Sequence, residues 1–265
     1  WRADAAVVPD GFDEGQAGAR PFAVVRFIAA VPADPDGLAA AIVSRRSGKV
    51  DYDGRAVPPA AIAALRRVHR ADEGALTLTS DPEAVAALRR ISTAAMRVEV
   101  DTDRTYAETV RVMRIGADEI AAHRDGLSFH GPFFWWAKAL GLLSPEAQMD
   151  KDSTARGMAR ALLDDQAAST ATFGWLTTTG NTRAQQIGVG RAYVRQNLAA
   201  TRAGLAFAPW SQALQEFSEM AALRAELRAV VGAAAGDTVQ MFFRLGYAPP
   251  PPPTPRRALD AIIAA

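Results

Sequence analysis

The chain has 265 residues, of which 49% are hydrophobic and 22% charged, enough to bury a sizeable core. Thirty Lys and Arg against 29 Asp and Glu exclude the broad basic field of a nucleic-acid binder, and the lack of cysteine excludes disulfides, a thiolate nucleophile and Cys-ligated metal. The longest strongly apolar run, Pro132 to Leu143, is interrupted by Lys138 and is too short to span a bilayer.

The sequence opens at Trp1 with no Met and no basic or apolar leader pattern, which leads us to expect that any targeting segment has been removed or precedes the chain. A cysteine-free composition suits either a reducing cytosol or an exported protein that avoids thiols, so cytoplasmic and periplasmic locations both stay open. Residues 1–43 read as a loop-rich entry with one strand, Ala23 to Ile28, punctuated by Pro21 and Pro32. Leu38 to Val43 reads as a brief helix that leads into Ser44-Arg45-Arg46-Ser47-Gly48-Lys49. Pro58-Pro59 opens a helix to about Arg70, with Ile62, Leu65 and Val68 on one face. Ala75 to Thr79 alternates like a strand, and Asp81-Pro82-Glu83 starts a helix that runs to about Val100.

From Tyr106 to Leu143 the pattern is least regular, and this stretch is read as a lid-like insertion over a pocket. Thr109 to Ile115 and Asp118 to His123 look helical, before Asp125-Gly126 and His130-Gly131-Pro132 break the chain. Phe133-Phe134-Trp135-Trp136 cannot all face one core: either some meet solvent or they line a cavity for a flat ligand. The histidines, at 69, 123 and 130, lack a partner motif and are read as surface or satisfied residues. Residues 154–247 then alternate. Helix (Thr154 to Ser169), strand (Thr172 to Thr177), helix (Thr182 to Ala203), strand (Leu205 to Ala208), helix (Ser218 to Val231) and strand (Val239 to Leu245) predict a three-layer α/β or α+β domain with a buried sheet. Asn181 or Thr182 is placed to cap the long helix and Gly204 to end it, while Gly188 and Gly190 inside it read as close-packing points.

Three cations and two hydroxyls within Ser44 to Lys49 form a group suited to an anionic phosphate. Arg offers a planar fork, Lys a mobile point charge, and hydroxyls and N–H groups fill the remaining lone pairs. At the far end, five prolines (Pro249 to Pro253) carry Thr254-Pro255-Arg256-Arg257 away from the last strand on a stiff arm. The Arg45-x-Ser47-x-Lys49 pattern and the strand, proline run and Arg-Arg that close the chain resemble the phosphate motifs of FMN-dependent nitroreductases. Thr177 to Asn181, Gly190 to Leu198 and Ala208 to Glu216 resemble segments of the Acg-like branch of that family. The resemblance runs from about Arg45 to Arg257. That branch also has an earlier Asn-x-Gln-Pro-Trp-type flavin motif with no counterpart in this sequence, which therefore resembles the later part of a longer protein.

The resemblance implies an α+β, three-layer α/β/α fold of the nitroreductase type, with a central mostly antiparallel or mixed sheet flanked by helices. It implies a flavin-binding domain over 44–257 with the insertion at 106–143, an entry segment at 1–43 belonging to an N-terminal lobe, and a tail at 258–265. It implies FMN as cofactor, with Arg45, Arg46, Ser47 and Lys49 on phosphate, ribityl and flavin oxygens. Pro209, Trp210, Ser211 and Gln212 would lie along the isoalloxazine with a backbone N–H toward N5, and Arg256 and Arg257 would close on the phosphate. The reaction implied is hydride transfer through flavin N5 from NAD(P)H or another reductant to a small aromatic, quinone or nitro acceptor, with no catalytic side chain of its own and no metal. A flavin-sequestering protein with an occluded pocket and a cofactor-free scaffold are the alternatives. The expected assembly is a homodimer or a pseudo-dimeric monomer, with no nucleic-acid partner and no membrane span.

Overall fold

Two long strands rich in aromatic residues form the centre of the molecule. The computed structural model describes residues 2–7, 21–31 and 33–263, so Trp1 and Pro32, both used above, lie outside the described residues. Strand β6 (Thr172–Thr179) pairs antiparallel with β8 (Asp237–Gly246), and β3 (Ala75–Thr79) and β7 (Ala206–Pro209) complete an antiparallel sheet of order β3-β6-β8-β7. Strand geometry sends alternate side chains to opposite faces. Leu176, Phe243 and Leu245 accordingly join a core beneath α1 (Pro59–Arg67) and α8 (Arg183–Arg202), built with Leu65, Val189 and Ala192. Phe173, Trp175 and Phe242 join a second core on the other face. It is covered by α2 (Pro82–Asp101), α7 (Thr154–Ala168) and α9 (Ala221–Val230), and Phe173 and Phe242 stack there at 5.2 Å. The arrangement is the expected three-layer sandwich around an antiparallel sheet.

Local chemistry sets the helix ends. Asp81 accepts the Ala84 N–H at 2.9 Å to start α2. Thr182 and Gln185 form a reciprocal capping box at the start of α8, whose donors would otherwise be unpaired. Gly204 ends α8 in the left-handed region at φ 67°. Gly174 has a different role: an added Cβ there would lie 2.4 Å from the Phe243 ring and 2.6 Å from Leu78 Cδ2, so the bare backbone makes room for the core.

Several expectations change. Gly188 and Gly190 are not close-packing points: nothing lies within 4 Å of a Cβ at Gly190, and a Cβ at Gly188 meets only an ordinary contact with Glu73 Cα at 3.7 Å. Leu38 to Val43 forms only a single 3₁₀ turn, Ala39–Ala41. The helix expected at Thr109 to Ile115 belongs instead to α3 (Asp103–Val112), and its last residues form β4 (Met113–Ile115). β4 pairs in parallel with β5 (Leu127–Phe129), a tertiary pairing that local pattern does not announce. Between and after them lie α4 (Ala117–Ala122), α5 (Pro132–Ala139) and α6 (Pro145–Met149). On α5, Phe133, Trp135 and Trp136 are more than half exposed, so part of the aromatic run does meet solvent. Strand β2 (Ala23–Ile28) pairs with an unexpected β1 (Arg2–Val7) in a separate two-stranded ribbon. No helix among the described residues is long and apolar enough to cross a membrane.

Replacing Gly174 with Ala forces the Phe243 ring or the β6 backbone to shift. We expect the folded state to lose about 1–3 kcal/mol, read as a lowered urea midpoint with the far-UV circular dichroism of the native protein unchanged.

Candidate functional site

Arg244 is the one charged residue in the apolar interior of β8, between Phe243 and Leu245, and its side chain is fully buried. No carboxylate pairs with it among the described residues; it is held by carbonyls and rings. Its Nη2 donates to Gly48 O (2.9 Å), Val50 O (2.8 Å) and the Gln166 amide oxygen (3.2 Å), and its Nη1 donates to Gln166 O (3.1 Å). The guanidinium carbon lies 4.0 Å from the Tyr52 ring centre and 4.5 Å from that of Trp210. Burial pulls Arg244 below its ordinary pKa, opposed by Tyr52 and Asp51, and burial pushes Tyr52 up to about 12, opposed by Arg244.

The loop that this cation holds is the predicted cationic motif. Gly48 N–H also donates to Phe207 O at 3.0 Å, so residues 45–49 run along the outer edge of β7. The side chains of the motif then diverge. Arg46 turns its fork back on Val43 O (3.0 Å) and Arg45 O (2.8 Å) and shapes the loop. Arg45 has no hydrogen-bond or ion-pair acceptor among the described residues. It lies near Tyr193 of α8, whose hydroxyl burial holds well above the ordinary range against the pull of Arg45. No partner for the Ser47 hydroxyl is found among the described residues, while its carbonyl takes the Lys49 N–H at 3.0 Å. Lys49 is lowered by desolvation, opposed by the charge of Glu99.

Pro209 to Gln212 leave the end of β7 on the same edge. Trp210 is buried, and its N–H goes to Phe242 O at 2.9 Å. Pro209 has no N–H, and the Ser211 N–H finds no acceptor among the described residues. The Gln212–Leu214 turn carries its amides to Glu99 of α2: Gln215 donates to that carboxylate at 3.2 Å and the Gln212 amide also donates to it. Burial raises the pKa of Glu99, against those bonds and the charge of Lys49.

Four buried polar atoms on this edge have no partner among the described residues: Tyr52 Oη, Trp210 Nε1, Gln212 Oε1 and Arg244 Nε. Buried polar atoms are ordinarily satisfied, so the group fits a polar ligand. Among the described residues, no set of three or more His, Asp or Glu side chains is arranged to hold a metal. His69 Nε2 meets Gly74 O at 2.8 Å, while its buried Nδ1 has no partner among the described residues.

The C-terminal cations sit elsewhere. Arg256 bonds locally to Thr254 Oγ1 (2.5 Å) and Pro255 O (3.3 Å), and Arg257 pairs with Asp125, which also pairs with Arg114 at 3.1 Å. The proline arm lies against α4, where a cleft of about 670 Å³ is lined by Ile120, Arg124, His130 and Pro253 to Pro255. The structure thus brings 45–49 and 209–212 together and places Arg256 and Arg257 against the 106–143 segment. Sequence reading missed Arg244, Glu99, Gln166 and Gln215. A lone cation inside the apolar run Val239 to Leu245 was the available signal for Arg244; the other three carry no such mark.

No family model matches this chain, and no curated protein matches it. Solved structures do. The FMN- and NADPH-dependent nitroreductase NfnB from Sphigopyxis sp. strain HMH matches with a TM-score of 0.52 at 18% identity, over 86% of this chain and 98% of that one. The FMN-dependent nitroreductase NfnB from Mycobacterium smegmatis, solved with NADPH, matches with a TM-score of 0.52 at 19% identity, over 88% and 99%. The chain has the nitroreductase-like fold.

Replacing Arg244 with Met keeps the volume and leaves the Gly48 and Val50 carbonyls without their donor. We expect a loss of roughly 2–5 kcal/mol, and faster amide hydrogen exchange at residues 48–52 than in the rest of the sheet edge.

Proposed function

We propose that this chain binds FMN and works as a nitroreductase-like oxidoreductase, taking a hydride from NAD(P)H and delivering it to a small aromatic, quinone or nitro acceptor. The observation that carries the reading is that Arg244 joins the two segments, bonding Gly48 O of the 45–49 loop and lying over the Trp210 ring of the 209–212 turn. The fold shared with the two NfnB nitroreductases supports it, as do the segments that resemble the Acg-like branch.

In this reading Arg45 and Ser47 hold the phosphate and ribityl oxygens, and Lys49 sets its ammonium toward flavin oxygen. Arg46 braces the loop. The Ser211 N–H is the backbone donor of the 209–212 turn left to reach the flavin, since Pro209 has none and that of Trp210 is spent within the sheet. Trp210, packed on Arg244, acts as a floor and not as an exposed stacking platform. Arg256 closes on phosphate by leaving local partners only, and Arg257 by exchanging Asp125 for a ligand oxygen. FMN itself would supply the two-electron hydride chemistry at N5. No side chain of the chain needs to act as a nucleophile.

The test is a titration with FMN and with riboflavin, followed by NADPH without oxygen. We expect a yellow complex that bleaches with NADPH. Arg45→Ala should weaken FMN by about 10–100-fold, the loss of one charge-assisted phosphate contact, and leave riboflavin affinity nearly unchanged. Equal FMN affinity in the variant would remove Arg45 from the site, and flavin bands that persist under NADPH would favour a flavin store.

A further inference from the structure

The proline arm and α4 enclose a cleft whose walls are fixed by contacts at both ends. β4 and β5 pair Ile115 with Phe129, and the Gly116 N–H donates to Phe129 O at 3.0 Å, which sets His130 beside the start of α4. Asp125 pairs with Arg114 and with Arg257, and so holds the arm against the same segment. The space between measures about 670 Å³, within the roughly 300–1,000 Å³ of small-molecule sites. Ile120, Ala121, Pro253 and Pro255 give it apolar walls, and Arg124 and His130 bring the polar groups. Neither of these two side chains has a hydrogen-bond or ion-pair partner among the described residues. None of the described residues that line the cleft is acidic. The carboxylates nearby are occupied or turned away: Asp125 is held by its two arginines, Glu119 takes Lys138 Nζ (2.5 Å) and the Ile115 N–H (2.8 Å), and Asp118 is exposed outside the lining.

We propose that this cleft binds a small planar carboxylate, an aromatic acid whose ring lies between α4 and the arm and whose carboxylate meets Arg124. The walls and the cation each select one half of that ligand. Flat proline rings and the Ile120 side chain take an apolar body out of water. The Arg124 fork matches two carboxylate oxygens at once, and the His130 ring offers a further N–H. An inorganic anion leaves the apolar walls wet, and a neutral ring leaves the guanidinium unmatched, so tight binding needs both. Proline stiffness and the Asp125 contacts hold the arm in place beforehand, which lowers the ordering cost of binding. The cleft shares no residue with the 45–49 loop or the 209–212 turn, so the proposal stands apart from the flavin reading.

Naphthoate is the probe, with naphthamide as its neutral counterpart and inorganic phosphate as an anion without a ring. Calorimetric titration of the whole chain should show naphthoate binding with a Kd below about 1 mM, and naphthamide and phosphate weaker by about tenfold or more. Arg124→Gln should weaken naphthoate by about 10–100-fold and bring it level with naphthamide. Arg124 is exposed, so this variant should keep the native melting temperature. Ala121→Phe fills the cleft from α4 and should abolish naphthoate binding with Arg124 still in place. No naphthoate binding at millimolar concentration, equal affinity for naphthamide, or native affinity in both variants overturns the proposal. Arg45→Ala and saturating FMN separate it from the functional reading. Naphthoate binding that survives both supports the cleft; naphthoate that is displaced by FMN and lost in Arg45→Ala belongs to the flavin edge and overturns it. Naphthoate binding as described in a chain that takes no FMN defeats the flavin assignment alone.

Discussion

The sheet edge depends on one buried cation that no carboxylate contacts among the described residues. A guanidinium taken out of water needs acceptors for its N–H groups or it costs several kcal/mol. Arg244 finds them in main-chain carbonyls of Gly48, Val50 and Gln166, which belong to segments far apart in the chain. Two rings complete its surroundings: Tyr52 follows the cationic loop, and Trp210 opens the turn on the far side. A strand, a helix end, a loop and a turn thus meet at a single side chain. The loop bearing Arg45 to Lys49 is fixed by bonds to its backbone, and the Arg45 and Ser47 side chains are left without hydrogen-bond partners among the described residues.

That division of labour explains the unequal fates of similar residues. Arg46 and Arg45 are neighbours, yet the first is consumed by the loop's own carbonyls and the second meets no acceptor among the described residues. Trp210 and Ser211 are likewise adjacent, but pairing with β8 takes the N–H of the first and the chain then turns away before the second is used. Asp125 shows the same economy in the 106–143 segment, where one carboxylate binds Arg114 from its own segment and Arg257 from the end of the chain. The arm is stiff because proline fixes its backbone, and Asp125 decides where it rests.

The glycines and aromatic residues of the central strands show how the two cores stay separate. Phe242 and Phe243 are consecutive and face opposite ways, one stacked on Phe173 and the other on Phe207 at 4.7 Å. Gly174 lies across from Phe243 in the β6–β8 register, and Gly246 leaves room for the Tyr52 ring, 2.5 Å from where a Cβ would be. Packing of the ring beneath Arg244 and packing of the sheet are therefore one problem.

The sequence by itself determined the parts governed by nearest neighbours. Alternation and length placed α2, α7, α8 and strands β3, β6 and β8, because burying one face of a helix or strand leaves a period that can be read. Capping by Asp81 and Thr182 and the left-handed stop at Gly204 followed from local hydrogen bonding. The cationic motif at Arg45 to Lys49 and the turn at Pro209 to Gln212 were legible as groups of suitable chemistry. Only the tertiary structure decided that they share an edge, that Trp210 is a buried floor and that Arg257 rests on Asp125. It also decided that Met113 to Ile115 leaves the helix pattern for a strand whose partner lies beyond α4. Each of these depends on contacts between residues that are not neighbours in the chain, from the Met113–Leu127 pair to Gly48 with Arg244, 196 positions apart, and no local period or spacing records which distant carbonyl a buried cation will find.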